Sequence, residues 1–226
     1  KMRQKSVKLG DLVVFLYGLK TADDKKFIFN EQKNDEYKRL LRSKNVGRYS
    51  KIHSGEYVWY VPNLMRKNKK TARPGDKKRF ESDKIIVARM GKSVVATYDD
   101  EKYYVKDAML LLRKSEDTNL KYVTGVLNSK LINYYYKNYF ITIDVLKNAL
   151  LSLPIKFGTE ELQEKISEKV DKMLFLNKRL NKIGDKLTRE RKKIEKEINE
   201  IDQEIDELVY ETCGITEKEQ KIIGNI

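Results

Sequence analysis

Two residue types that often carry catalysis or bind metal are nearly missing from this chain. In 226 residues there is one cysteine, Cys213, and one histidine, His53. A lone cysteine excludes an internal disulfide and cannot by itself make a thiolate metal site, and a lone histidine leaves zinc sites and serine or cysteine triads without their usual parts. Cys213 reads as a small buried apolar group and His53, near a turn, as a surface residue. No apolar run approaches the ~20 residues of a membrane span, and the charged start is no signal peptide, so an intracellular, cytoplasmic setting with no membrane partner is expected. Proline is scarce too, with three in the chain and none after Pro154.

That last scarcity lets a long helix run. Across residues 159–212, Met173, Leu180, Leu187, Ile194, Ile201 and Leu208 recur every seventh position, Leu176 and Ile183 fill the intervening positions of the first half and Ile198 and Ile205 those of the second, with a shift of phase near Glu190 and Arg191, and charged residues occupy most other places. This is a narrow heptad seam. An unbroken rod would be about 75 Å long, a spacer or handle. Gly184 and Asp185 interrupt the middle, and Thr188 can cap a fresh start. Folding back at Gly184 would face Leu180 with Leu187, Met173 with Ile194, Ile166 with Ile201 and Leu162 with Ile205. An antiparallel hairpin is therefore favoured, because it buries the seam without a second chain. A continuous coiled coil, or an amphipathic helix lying on its own domain, is the alternative.

Charge divides the chain at the same place. Residues 159–226 carry 14 Lys and Arg against 17 Asp and Glu, leaving 34 against 17 in residues 1–158. The whole excess of positive charge lies in the first part, which predicts a polyanionic partner there and a near-neutral scaffold behind it. Two units are expected: a globular unit at 1–158 and a helical spacer at 159–226 ending in a short helix. Gly214 is placed to end the long helix, and Thr216 with Glu219 forms a capping-box pattern.

Within the first unit the patterns predict an α+β fold, mixed and mainly antiparallel in its β-structure. Residues 8–13 read as a lead-in and 14–17 as a strand, joined through a charged turn at 20–26 to a strand at 27–30, making a hairpin. Residues 35–42 have helical spacing, 57–61 alternate like a strand ended by Pro62, and 84–112 read as a β-meander. Residues 119–138 predict one helix, and 149–153 a short strand. Between them, residues 66–79 hold eight basic groups and one acid, which predicts a solvated loop.

A catalytic centre is not found. Asp76, Glu81, Asp83 and Lys84 are the residue types of a metal-dependent nuclease, but no Glu-x-Lys follows the Asp. Asp99, Asp100 and Glu101 read as a solvated hairpin turn rather than a cation site. There is no Gly-rich phosphate loop, and no Asn-Pro-Pro-aromatic motif for amino-group methylation. Binding chemistry is better represented, in three polar loops at 20–26, 42–51 and 66–79. Their leading candidate DNA contacts are Lys69, Lys70, Arg73, Lys77, Lys78 and Arg79, followed by Lys20, Thr21, Arg42 and Arg48, with Arg73 beside the Pro-Gly turn as the candidate guanine contact. Trp59, Tyr57 and Tyr60 could stack on bases, although strand alternation sends at least half of them inward; the aromatic residues from Tyr134 to Phe140 read as packing.

Several phrases resemble one family. Lys8-Leu9-Gly10-Asp11-Leu12, Gly18-Leu19-Lys20-Thr21 with Phe27-Ile28-Phe29, Phe80-Glu81-Ser82-Asp83-Lys84-Ile85-Ile86, Leu127-Asn128-Ser129-Lys130-Leu131 and Leu153-Pro154-Ile155 are similar, in this order, to target-recognition domains of restriction-modification proteins, including the specificity subunits of Type I systems. Glu204-Ile205-Asp206-Glu207-Leu208-Val209-Tyr210-Glu211 and Gly214-Ile215-Thr216-Glu217-Lys218-Glu219 resemble the C-terminus of fused enzymes that join an adenine methyltransferase to a specificity domain. Thr212 and Cys213 depart from the Leu and Tyr usual before the terminal Gly.

The resemblance implies sequence-specific binding of double-stranded DNA by a non-catalytic part of a methyltransferase or endonuclease. It implies an upstream catalytic domain as partner in the same polypeptide, with S-adenosylmethionine and Mg bound only there. Base-reading residues vary within this family and are not carried over. The rival readings are a helical assembly module, oligomeric through its stalk, and a nonspecific nucleic-acid binder.

Overall fold

The computed structural model describes residues 2–140 and 143–224. Its centre is a sheet in the order β2 (Val13–Tyr17), β11 (Met109–Arg113), β8 (Lys84–Val87) and β9 (Ala96–Asp99), antiparallel throughout. Every residue of β8 and β9 is buried, as a strand covered on both faces requires. Alternate side chains therefore enter two different cores. Ile85, Val87, Met109 and Leu111 join one cluster, while Ile86 and Leu110 join the other.

The first core is helical. It holds α5 (Leu120–Asn128), α6 (Lys130–Tyr139), α8 (Glu160–Ile183) and α9 (Arg189–Cys213) against the central sheet. The second core lies beneath an outer sheet in the order β10 (Tyr104–Lys106), β4 (Tyr37–Arg42), β7 (Tyr57–Trp59) and β3 (Ile28–Phe29), in which only β10 and β4 run parallel. Two short helices, α3 (Pro62–Asn68) and α4 (Lys77–Glu81), plug the second core with Met65 and Phe80. The layers run helices, central sheet, outer sheet. Smaller elements complete the chain: β1 (Val7–Lys8) with β12 (Pro154–Ile155), α1 (Leu9–Leu12), α2 (Asp24–Phe27), the pair β5 (Val46–Gly47) and β6 (Ser50–Lys51), α7 (Lys147–Leu151) and α10 (Glu217–Gly224).

The heptad seam is buried within the chain. Helix α8 ends at Gly184, whose φ of +67° is a conformation that favours glycine. The Thr188 hydroxyl then accepts from Arg191 N at 3.0 Å to start α9. The two helices run antiparallel, tied by Lys172 to Glu197 and Arg179 to Glu190, each at 2.7 Å. Ile166, Val170, Met173, Ile194, Ile201 and Ile205 are buried, and they join the core of the central sheet. The hairpin thus lies along the domain instead of standing off it. Leu187 does not face Leu180: it sits in the turn, 83% exposed. At α10 the Glu219 carboxylate accepts from both the backbone N–H and the hydroxyl of Thr216 at 2.8 Å, the glutamate half of the expected capping box, and Cys213 is buried.

Several local expectations are overturned. In the stretch 35–42, residues 37–42 form strand β4 instead of a helix, paired on both sides, and Tyr37, Leu40 and Leu41, at helical spacing from one another, are buried as strand residues too. Strands β2 and β3 belong to different sheets and make no hairpin. The meander is broken because β10 leaves the central sheet for the outer one. The helix expected over 119–138 breaks at Ser129, whose backbone is extended, and α6 restarts with Lys130 N donating to Asp206 of α9 at 2.8 Å. The short strand at 149–153 is mostly helix α7, and Pro62 opens a helix rather than closing the strand segment.

The acidic turn is solvated only in part: Asp100 is exposed, whereas its neighbour is not. Asp99 is fully buried, 2.6 Å from the equally buried Lys84 and 3.3 Å from Lys51, and it accepts from the backbone N–H of Glu101 and Tyr103. Burial pushes the Lys84 ammonium below the ordinary lysine range, against the pull of Asp99.

Candidate nucleic-acid interface

The basic segment 66–79 is not a free loop. It is pinned at three points by Met65, Ala72 and Phe80, all in the outer core, which the run of charges concealed. Asp76 caps α4 by accepting from Arg79 N at 3.0 Å, and that bond lowers its carboxyl pKa. Tyr60, itself buried, donates to the Gly75 carbonyl at 3.1 Å. Gly75 has a φ of +76°, a conformation that favours glycine.

The first and third polar loops are one surface. Lys20 and Arg73 exchange backbone hydrogen bonds of 2.9 and 2.8 Å as an antiparallel bridge. Lys26 donates to Asn68 at 2.8 Å and Asn68 donates to Asp23 at 3.2 Å. Lys20, Lys69, Lys70, Arg73, Lys77 and Lys78 are exposed on this joined surface. Among the described residues Lys20, Lys70, Lys77 and Lys78 make no ion pair, and Lys69 has only a 4.0 Å approach to Asp23. One nitrogen of Arg73 donates to the carbonyls of Lys70 and Ala72, both at 2.8 Å, which holds the guanidinium along its own loop. Beside it opens a cleft of about 650 Å³ lined by Arg66, Lys70, Arg73, Gly75, Asp76 and Arg79.

The other four candidates are engaged internally. Thr21 is 0% exposed and its hydroxyl donates to Asp24. Arg42 forks onto Glu56 at 2.7 and 2.8 Å, with Asp24 3.7 Å away; its hydrogen bonds hold the Glu56 carboxyl below the usual range. Arg48 points the opposite way, to Asp202 of α9 at 2.6 and 3.0 Å and to the Asn128 carbonyl at 2.9 Å, and so ties the second loop to the helical layer. Arg79 spans Asp76 at 3.3 Å and the Tyr17 carbonyl at 3.4 Å. The second loop is therefore split between the outer layer and the hairpin.

Sequence reasoning did not single out Arg66, which lines the cleft, or Asn68 and Asp23, which clamp the two loops together. Arg66 was visible as part of the basic run; the clamp needs residues 45 positions apart and has no local signal. The aromatic strand splits as alternation requires. Tyr60 is buried against Phe80 and Tyr104, whereas Tyr57 and Trp59 lie half-buried on the opposite face, with Trp59 stacked on Tyr37 at 6.2 Å. His53 is half-buried between Tyr57 and Tyr103 rather than free at the surface.

Glu81 accepts from Tyr104 and Asp83 from Tyr98, at 2.8 and 2.9 Å, so these carboxylates do not converge with Asp76 and Lys84. Among the described residues no His, Cys, Asp or Glu cluster could hold a metal, and no helix is long and apolar enough to cross a membrane.

The fold is thus an antiparallel central sheet followed by an antiparallel helical hairpin. It is similar to the Type IIL restriction-modification enzyme MmeI, solved in complex with DNA, at a TM-score of 0.62 and 13% identity, over 93% of this chain and 34% of that one. The HsdS subunit from Thermoanaerobacter tengcongensis is also similar, at a TM-score of 0.47 and 13% identity, over 91% and 44% of the two chains. The chain thus spans about a third of the MmeI chain and less than half of the HsdS chain. Among curated proteins no match was found. Residues 38–155 match the TaqI-like C-terminal specificity domain, and the chain belongs to that family.

Proposed function

We propose that this chain binds double-stranded DNA sequence-specifically, as the target-recognition part of a restriction-modification protein. The observation that carries this is the bridge between Lys20 and Arg73, which fuses two basic loops into one exposed cationic surface beside a cleft. Lys20, Lys69, Lys70, Lys77 and Lys78 take phosphates, and Arg73 reaches a base edge, a guanine for preference. Thr21, Arg42, Arg48 and Arg79 act behind that surface by fixing the loops. Residues 1–158 are the recognition unit and residues 159–226 the helical spacer.

Chemistry belongs to another domain of the same polypeptide, an adenine methyltransferase or endonuclease, which is where S-adenosylmethionine and Mg act. The protein works in the cytoplasm, where its DNA is. The test is selection from a randomised duplex pool, followed by competition between the enriched site and random duplexes. A preference of about 10³-fold or more is expected. Equal affinity for all duplexes would remove the sequence-reading function.

A further inference from the structure

The helical region is near neutral only on average. Residues 178–196, at the tip of the hairpin, carry nine Lys and Arg against three acids, while the rest of residues 159–226 carries five against fourteen. Four of the nine are paired: Lys178 with Glu101, Arg179 with Glu190, Arg191 with Glu195 and Lys196 with Glu200. Lys182, Lys186, Arg189, Lys192 and Lys193 are exposed and make no ion pair among the described residues.

Lys182, in the last turn of α8, suits the negative end of that helix's dipole, but local stability does not explain the other four. Arg189, Lys192 and Lys193 stand in the first turns of a 25-residue helix, where the positive end of the macrodipole disfavours cations. They are spaced three and four apart, as neighbours of like charge on one face. Nor does the tip offer what a protein partner or a membrane would bury, since Leu187 is the one large apolar side chain exposed on it among the described residues.

The tip is also held firmly. Asn181 donates to Ser50 at 3.1 Å, Lys178 reaches Glu101 at 3.2 Å, Thr188 caps α9, and Arg191 donates to the Gly184 carbonyl. It lies with the helical layer, whereas the surface around Lys20 and Arg73 belongs to the outer layer.

We infer that the hairpin tip is a second, sequence-independent phosphate-binding surface, formed by Lys182, Lys186, Arg189, Lys192 and Lys193, that grips DNA away from the bases being read. The identity of the polyanion rests on the function proposed above; the existence of a second cationic surface does not.

The test compares two variants of the full chain. One carries Lys186→Gln, Arg189→Gln, Lys192→Gln and Lys193→Gln; the other carries Lys70→Gln, Lys77→Gln and Lys78→Gln. Each is titrated against a random-sequence duplex of about 40 base pairs at increasing salt, with polyglutamate as a control polyanion. For the tip variant the slope of log affinity against log salt should flatten by about 3 to 4, so that the loss between about 50 and 200 mM salt shrinks roughly 10²-fold. Its base preference and its helical circular dichroism should not change, because the four side chains are exposed.

A slope equal to the unmodified chain's overturns the inference, and if the loop variant flattens meanwhile, the proposed function survives without it. Flattening for the tip variant alone upholds the tip and moves the fault to the loops. Tighter binding of polyglutamate than of duplex, lost in the tip variant, makes the partner an acidic protein and overturns the inference.

Discussion

Replacing Lys70, Lys77 and Lys78 with glutamine should alter the salt response of DNA binding far more than the stability of the protein. The exposed candidate contacts on the joined surface are Lys20, Lys69, Lys70, Arg73, Lys77 and Lys78. If each neutralises one phosphate, counterion release gives a slope near −0.9 per contact, about −5 in all, and affinity falls about 10³-fold between roughly 50 and 200 mM salt. Losing three contacts makes the slope shallower by about 3 and reduces the fall about 40-fold, whatever the hairpin tip contributes. None of the three makes an ion pair among the described residues, so the melting temperature should stay within about a degree or two. Fluorescence anisotropy of a labelled duplex across a salt series reads the slope directly. An unchanged slope with an unchanged fold would show that these side chains do not meet phosphate, and the placement of DNA on this surface would be wrong.

Arg73→Ala should relax the preference at a single base pair, at a cost of about 1–3 kcal/mol there, read by competition among duplexes varied one position at a time; a flat loss at all positions would make Arg73 a phosphate contact. The buried pair predicts an asymmetry. Asp99→Ala leaves the Lys84 ammonium in the core with only the Phe80 and Ser82 carbonyls, and should cost about 3–5 kcal/mol in urea unfolding. Lys84→Met should cost less, because Asp99 keeps Lys51 and two backbone N–H groups.

Acid sensitivity should depend on two carboxyls of opposite sign. Glu56 is held below its ordinary pKa by Arg42, so its contribution is present above the unfolded-state value and is lost as pH falls through the folded one; Glu56→Gln should make the stability profile between about pH 3 and 7 shallower. Asp206 is raised by burial, so the folded state binds its proton more tightly and acidification through that window stabilises; Asp206→Asn should remove this gain and make the profile steeper on the acid side.

The hairpin was legible because its signals are local: a seven-residue period, a glycine at the turn and a capping threonine. Strand β4 was not, because Tyr37, Leu40 and Leu41 satisfy helical spacing, and the strand's buried positions, these same three, do not alternate with exposed ones. At the break Ser129 caps α6 locally, but the Lys130 N–H finds its partner in Asp206, 76 positions from Lys130. The candidate site divides the same way. The density of positive charge in residues 66–79 is a property of composition, but which charges remain exposed is not: Glu56 occupies Arg42, Asp202 occupies Arg48, and Asp24 occupies Thr21. Summing charge over residues 159–226 also hid the basic tip, because an average over a helix discards position.

By itself the sequence determined that the chain is α+β, that its front part is strongly cationic and that a self-complementary helical seam follows, since each of these is carried by neighbours along the chain. Only the tertiary structure decided that two basic loops form one surface, that the central sheet is covered on both faces, and that the hairpin packs on the domain with its cationic turn outward. Those features are made by contacts between residues far apart in the chain, and hydrophobic burial, which does not depend on sequence distance, chooses among them.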